Sequence, residues 1–294
     1  MKILVTGGRG MLGHAIIEAF KEHELILTGS IELDVRNIKQ VMNYAKRKPQ
    51  LIIHTAGETD HVSAEFDPVA CYMTNFTGTQ NMVELARCLD IPIVYIGTCG
   101  IYNGSKESYT ETDQPSPLNH YGRSKYYGEL AVRAYPKHWI VRCGWGMGGG
   151  PGIEKKFINK IFQTIKSGVG VFPSISDVYG SPTYHPDLAL TIKNLVLGIS
   201  ENRIFQSGAN YGTYNCGGEK ASRYEVAREF VECLGLLDRV KVQPLTFDEY
   251  HAIYPYEVIY TKCEVLDCSK LKATKLSAMR PWKEALKEYA QLWK

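Results

Sequence analysis

Short apolar runs punctuate the first half of the chain: KILVT at 2–6, LILTG at 25–29, LIIHT at 51–55, PIVYIGT at 92–98 and HWIVRC at 138–143. Each is bounded by a polar-patterned segment of helical length, so the runs read as strands and the segments near 11–22, 37–47, 74–89 and 122–134 as helices. Strands alternating with helices in this way predict an α/β protein built on a doubly wound parallel sheet. After Cys143 the pattern changes, because GWGMGGGPG at 144–152 is too rich in glycine for regular structure. A helical segment at 154–168, a loop SDVYGSPT at 176–183, a helix beginning near Pro186, a strand TYNC and a mixed C-terminal stretch follow.

That order predicts two parts. Residues 1–145 and 184–218 would form a dinucleotide-binding domain, and 146–183 with 219–294 a smaller substrate-binding lobe. The length of 294 residues suits such a core with an added lobe.

The net charge of +3 is too small and dispersed to suggest a nucleic-acid partner. Eight cysteines, at 71, 88, 99, 143, 216, 233, 263 and 268, include no CxxC pair and no nearby Cys/His set. Neither a disulfide framework nor a metal site is therefore expected, and the cytoplasm is the expected compartment. No apolar run approaches the roughly 20 residues of a membrane span, and the chain opens directly on a strand-like run without a leader pattern.

The most informative short segment is ILVTGGRGMLG at 3–13, which spaces Gly7, Gly10 and Gly13 as G-x-x-G-x-x-G between a strand and a helix. Glycine permits a tight turn and a close backbone approach, and the helix N-terminus offers unpaired N–H groups to a pyrophosphate. The expectation is a Rossmann-type dinucleotide site using Gly7, Arg9, Gly10, Met11, Leu12 and Gly13. The second strand ends in Gly29 and Ser30, with no acid there to hold a ribose 2′-OH. Arg9 lies in the glycine loop within reach of a 2′-phosphate, so NADPH is expected as the cofactor, with NADH as the alternative. Asp34 has two readings, an acceptor for the adenine amino group or an acid at the start of the 37–47 helix.

In NHYGRSKYYGEL at 119–130, Tyr121 and Lys125 are the one tyrosine-to-lysine pair spaced a helical turn apart. A phenol has a free pKa of about 10, and a nearby ammonium favours the phenolate, suiting Tyr121 to proton donation. Tyr126 and Tyr127 are expected to pack. Thr98, at the carboxyl end of the fourth strand, would face the ligand crevice and hydrogen-bond a carbonyl.

TGGRGMLG, IGT, YGRSK and SPT together resemble the extended short-chain dehydrogenase/reductase superfamily. Over nearly the whole chain the sequence is similar to the dTDP-4-dehydrorhamnose reductase branch, through LDVRN at 33–37, MTNFTGTQNMVELA at 73–86, VRCGWG at 141–146, DVYGSPT at 177–183 and LDCSKL at 266–271. That resemblance implies a catalytic set of Thr98, Tyr121 and Lys125, with Lys125 also on the nicotinamide ribose. It implies that Asp34, Val35, Gly57, Glu58, Thr59 and Asn75 line or support the cofactor, and that Trp145 contacts substrate. The implied activity is NAD(P)H-dependent reduction of a nucleotide-activated 4-keto-6-deoxysugar in surface-polysaccharide biosynthesis, with a homodimer as an open expectation.

Three departures stand out. The branch reads Thr-Asp-Tyr where this chain has Thr98-Cys99-Gly100, and Val-Asp-Lys-Ala-Glu where it has His61-Val62-Ser63-Ala64-Glu65. An Arg-Pro pair normally precedes the LDCSKL-like segment, and VIYTKCEVLDCSKL has none. His61 and Cys99 are accordingly candidates for substrate contacts, Cys99 as a crevice wall. Two other readings remain: an epimerase or dehydratase that retains NAD and recruits Glu58, Cys99 or His61 as a second acid–base, and a non-catalytic NADP-binding regulatory subunit.

Overall fold

In the computed structural model of the chain the described residues are 1–200, 203–204, 210–255 and 258–294, with backbone alone for 199–200 and 203–204. Part of the expected 184–218 segment, at 201–202 and 205–209, lies outside the described residues.

Alternation of strand and helix produces the expected sheet. Strands β1 (Lys2–Thr6), β2 (Glu24–Thr28), β3 (Leu51–His54), β4 (Ile93–Thr98) and β5 (His138–Cys143) join a last strand, Gly212–Asn215, in the order β2-β1-β3-β4-β5-(212–215). Every pairing is parallel. Successive residues of β1 point to opposite faces, and both faces are covered. Ile3 and Val5 join Ile16, Phe20, Trp139 and Ile192 in one core, while Leu4 joins Ile52, Met82, Tyr95 and Ile140 in the other. A parallel sheet buried on both faces needs continuous apolar runs, which is why the strands were readable as such. The strand order reverses between β1 and β3, so the crevice opens at their carboxyl ends.

The helices that precede β5 are α1 (Met11–Ala19), α2 (Ile38–Asn43), α3 (His61–Phe66), α4 (Pro68–Tyr72), α5 (Gly78–Leu89) and α6 (His120–Arg133). Two depart from expectation. The 37–47 helix is α2 followed by a 3₁₀ turn at Tyr44–Arg47, and a π-helical turn at Met73–Thr77 joins α4 to α5. The π turn carries Asn75, whose side chain is buried and spends its hydrogen bonds on the β3 loop and α6. Such single-turn expansions are frequent at functional sites.

SDVYGSPT, expected as a loop, contains two short strands. Tyr179–Gly180 lies between Ala221–Ser222 and Cys263–Glu264, and Thr183–Tyr184 pairs with Gly146–Met147 inside the glycine-dense segment. Their partners are distant in sequence, so no local periodicity announces them. Ile158, Ile161, Phe230, Leu286, Tyr289 and Trp293 pack in a separate apolar cluster formed by segments after Gly146.

Candidate active site

At the end of β1, Gly7 takes a left-handed φ of +68°, where any Cβ would lie 2.7 Å from Thr55 Oγ1 and 2.8 Å from Ala56 N. Gly13 packs α1 onto the turn, since a Cβ there would meet Gly7 O at 2.5 Å. The helix begins after Gly10 with no side-chain cap and no acid in its first turn. A Cβ on Gly10 would meet only Gly7 O, at 3.3 Å, so this side of the turn is open. Uncapped N–H groups beside open backbone fit a pyrophosphate. Met11 opens the helix half-buried; the Leu12 side chain packs in the core, leaving its amide as what it offers.

The reading that β2 ends without an acid is corrected by the fold. Glu32 folds back so that Oε2 accepts the Gly29 N–H at 2.8 Å and Oε1 pairs with Arg9. The Gly29 amide, with Arg9 beside it, holds this carboxyl below the usual glutamate range. A cavity of about 240 Å³ here is lined by Arg9, His14, Thr28 and Glu32 among others. An acid at this point suits a ribose 2′-OH and an arginine suits a 2′-phosphate. Both are present, so the cavity offers donors and acceptors for either dinucleotide.

Asp34 is engaged by Arg36. Its Oδ1 accepts from Arg36 N and Nε at 3.0 and 2.8 Å, its Oδ2 from Arg36 Nη2 at 2.9 Å, and α2 is capped by Asn37 instead. Val35 is core, with its carbonyl accepting from Asn81 at 2.8 Å.

The opposite wall follows β3. Asn75 Oδ1 accepts the Glu58 N–H at 2.8 Å, while its Nδ2 donates to Glu58 O at 3.0 Å and Ser124 Oγ at 2.9 Å. This buried amide ties the 57–59 loop to α6. Gly57 leaves room beside it, for a Cβ there would meet Asn75 Oδ1 at 2.9 Å and Lys125 Nζ at 3.7 Å. Glu58 Oε1 accepts from the Thr59 and Asp60 amides, both at 2.7 Å, and Thr59 receives Lys156 Nζ on its carbonyl and hydroxyl.

Asn119 caps α6 by accepting from Gly122 N at 2.8 Å. Glycines bring this helix against its neighbours: a Cβ at Gly122 would be 2.2 Å from Gly100 O, and one at Gly128 2.4 Å from Asn75 O. That close packing sets Tyr121 beside Thr98, whose Oγ1 also accepts the Gly100 N–H at 3.1 Å. Lys125 Nζ sits 4.4 Å from the centre of the Tyr95 ring, and Tyr95 Oη donates to the Lys125 carbonyl at 3.0 Å. Tyr126 packs against the Tyr102 cluster, and Tyr127 is exposed beside Tyr72 and Phe76.

The expected acidification of Tyr121 is not found in the protein alone. Burial pushes the phenol well up, and the Thr98 hydroxyl offsets only part of this. Burial also draws Lys125 down to about 8. Desolvation disfavours the charged phenolate, while the Lys125 ammonium is held over the Tyr95 ring.

On the far side of Tyr121, the His61 ring lies 4.4 Å from it and stacks at 5.3 Å on Tyr260. Burial, helped by the charge of Lys156, holds His61 down to about 4, and its Nδ1 has no hydrogen-bond partner among the described residues. Cys99 is buried, its thiol pushed up by burial and by Glu264, whose Oε2 it approaches at 3.5 Å. Trp145 has a left-handed φ of +39°; its ring rests on Gly180, and its indole N–H donates to Glu264 Oε2 at 2.9 Å. Arg223 lies 3.6 Å from the centre of that ring. Glu32 in the cavity at the end of β2, Lys156 on Thr59, and Arg223 and Glu264 beside Trp145 are polar residues that sequence reasoning missed. For Arg223 the one local signal was the capping box of Ser222 and Glu225 that starts its helix, which says nothing of where its guanidinium goes. Among the described residues no cluster of three or more His, Cys, Asp or Glu is placed to hold a metal, and no helix is long and apolar enough to cross a membrane.

A parallel sheet with its glycine turn at the reversal of strand order is the Rossmann-type arrangement, and the relatives of this chain lie in the extended short-chain dehydrogenase/reductase superfamily. Within it, the family model of the RmlD substrate binding domain matches residues 1–294, and the chain belongs to that family. A dTDP-4-dehydrorhamnose reductase of Mycolicibacterium smegmatis is 29% identical over 98% of this chain and 84% of its own. The crystal structure of a dTDP-4-dehydrorhamnose reductase from Clostridium acetobutylicum is 31% identical, with a TM-score of 0.88 over 99% of both chains. One from Bacillus anthracis, solved in complex with NADP, is 27% identical, with a TM-score of 0.86 over 98% of both chains.

Proposed function

We propose that this protein is an NAD(P)H-dependent reductase of the 4-keto group of a nucleotide-linked 6-deoxysugar, the reaction class named for its reductase relatives. The observation that carries the reading is the hydrogen bond between Thr98, at the carboxyl edge of β4, and Tyr121, which precedes Lys125 by one turn of α6. The nicotinamide dinucleotide, NADPH or NADH, supplies the hydride when bound.

The protein's own residues do the rest. The turn at Gly7, Gly10 and Gly13 receives the pyrophosphate, and Lys125 presents an ammonium to the nicotinamide ribose. Thr98 Oγ1 orients the carbonyl oxygen. Tyr121, kept protonated at neutral pH by its buried position, donates its proton to that oxygen as charge develops. Thr98 and the Lys125 charge then stabilise the tyrosinate left behind.

Residues 1–145 and 184–218 form the dinucleotide part in this proposal, and 146–183 with 219–294 the substrate lobe. Of the groups an epimerase would recruit, Glu58 is turned onto two backbone amides and Cys99 stays a buried thiol, which leaves His61 as the group that reading would need. The cytoplasm is the compartment expected from sequence, with a homodimer left open there; exposed Phe66, Val69, Met73, Tyr127 and Leu130 supply apolar surface for self-association.

Tyr121→Phe tests the proposal. Turnover of a dTDP-4-keto-6-deoxysugar, followed as NADPH absorbance, should fall on the order of 10²- to 10⁴-fold. NADPH affinity, read by its fluorescence, should change by less than about threefold, since the phenol belongs to the proton step. Undiminished turnover would remove the assignment.

A further inference from the structure

Two charges of the reductase branch are missing from their usual positions here, the aspartate replaced by Cys99 and the arginine expected ahead of Leu266. The folded chain supplies one acid and one guanidinium from other positions, against the same tryptophan.

Arg223 opens the helix Arg223–Cys233 and is half-buried. Its guanidinium lies 3.6 Å from the centre of the Trp145 ring and 4.9 Å from that of Phe157. Among the described residues it has no hydrogen bond and no ion pair within 4 Å. The nearby acids are already engaged. Glu154 accepts from Tyr289 Oη and Lys156 N, and Glu264 Oε2 from Trp145 and Cys99. A guanidinium carries five N–H donors in a planar fork, and none of those of Arg223 is taken by a protein group among the described residues. Lying over an aromatic ring, it is weakly hydrated and held in place for bidentate recognition of paired anionic oxygens.

Glu264 complements it. Trp145 Nε1 and Cys99 Sγ both reach Oε2, which fixes the carboxylate, while Oε1 has no protein partner among the described residues. The backbone adds a further sign of a built site, since Trp145, a bulky non-glycine residue, is held at φ +39° between Gly180 and these two groups. Cys99 follows Thr98 directly, so the carboxylate borders the place where the carbonyl is held.

We propose that Arg223 and Glu264 are the specificity pair of the substrate site: Arg223 takes the diphosphate of a nucleoside-diphosphate sugar, and Glu264 Oε1 accepts a ring hydroxyl of that sugar. The proposal rests on the reductase reading of the site. It makes Cys99 the filler behind a relocated acid rather than a contact of its own.

The test uses the full chain saturated with NADP⁺, titrated calorimetrically with dTDP, which carries the diphosphate and no sugar. Arg223→Ala should weaken dTDP binding at least tenfold and Arg223→Lys by a smaller factor, with NADPH affinity unchanged for both. Glu264→Ala should leave dTDP binding within threefold of wild type yet lower kcat/KM for the keto-sugar at least tenfold. Adding Cys99→Asp to Glu264→Ala should return part of that loss, which a merely structural role for Glu264 would not allow. Wild-type dTDP affinity in a folded, NADPH-binding Arg223→Ala protein overturns the inference and leaves the reductase reading standing. So does undiminished kcat/KM in Glu264→Ala. A wild-type protein that binds NADPH but neither dTDP nor UDP overturns the nucleotide-sugar reading itself.

Discussion

Lys125 carries its charge in a crevice walled by the Tyr95 ring, and burial lowers its pKa to about 8. The ammonium therefore prevails below that pH and is lost above it. If this charge steadies the tyrosinate, kcat/KM should fall as pH rises through about 8, and a stopped-flow pH profile should show that limb vanish in Lys125→Arg, whose charge persists. A limb unchanged in Lys125→Arg would assign it to another group. Tyr121, Lys125 and Thr98 were legible because a helical turn and a strand end are local features. Their electrostatics were not, because the desolvation that raises the phenol comes from packing against distant segments. Glu32 escaped notice for a similar reason: it lies past the end of β2 and returns through a turn onto Gly29.

At the level of elements, one buried ion pair fixes the helix that bears the tyrosine and lysine. Glu129 of α6 receives Arg142 of β5 through Nε at 3.0 Å and Nη2 at 2.6 Å, both side chains essentially inaccessible, and Arg133 joins from the surface at 2.7 Å. Removing one partner of such a pair leaves an uncompensated charge. Arg142→Met should therefore cost about 3 kcal/mol in urea unfolding, while Arg142→Met with Glu129→Leu should recover much of it. A single variant as stable as wild type would show the pair to be dispensable. The long elements were readable from period alone. The two-residue strands at 179–180, 183–184, 221–222 and 263–264 were not, because each exists only through partners brought in by the fold.

For the whole molecule, acid should be the weak direction. His54, between Thr6 and Thr79 hydroxyls, is held down to about 3 and His185 to about 4, both chiefly by burial. Folded values below the unfolded one favour the neutral rings. Their contribution is complete above about pH 6.5 and is lost as pH falls towards 4 and 3. Between pH 7 and 5 each should take roughly 1 to 2 kcal/mol from the unfolding free energy, and His185→Leu should shrink the drop measured by urea titration. An unfolding free energy flat over that range would contradict the assignment.

The sheet is finished only by Gly212–Asn215, a strand reached after the chain has left β5 and supplied the helix Phe157–Lys166 and the strands around Gly180. A chain ending at Gly144 would leave β5 as a bare edge, its backbone groups open to any stray strand. The segments proposed to meet the sugar are thus woven through the part that completes the sheet and cannot be exchanged as a cassette. New preferences in such an architecture must arise by swapping individual side chains within a standing wall.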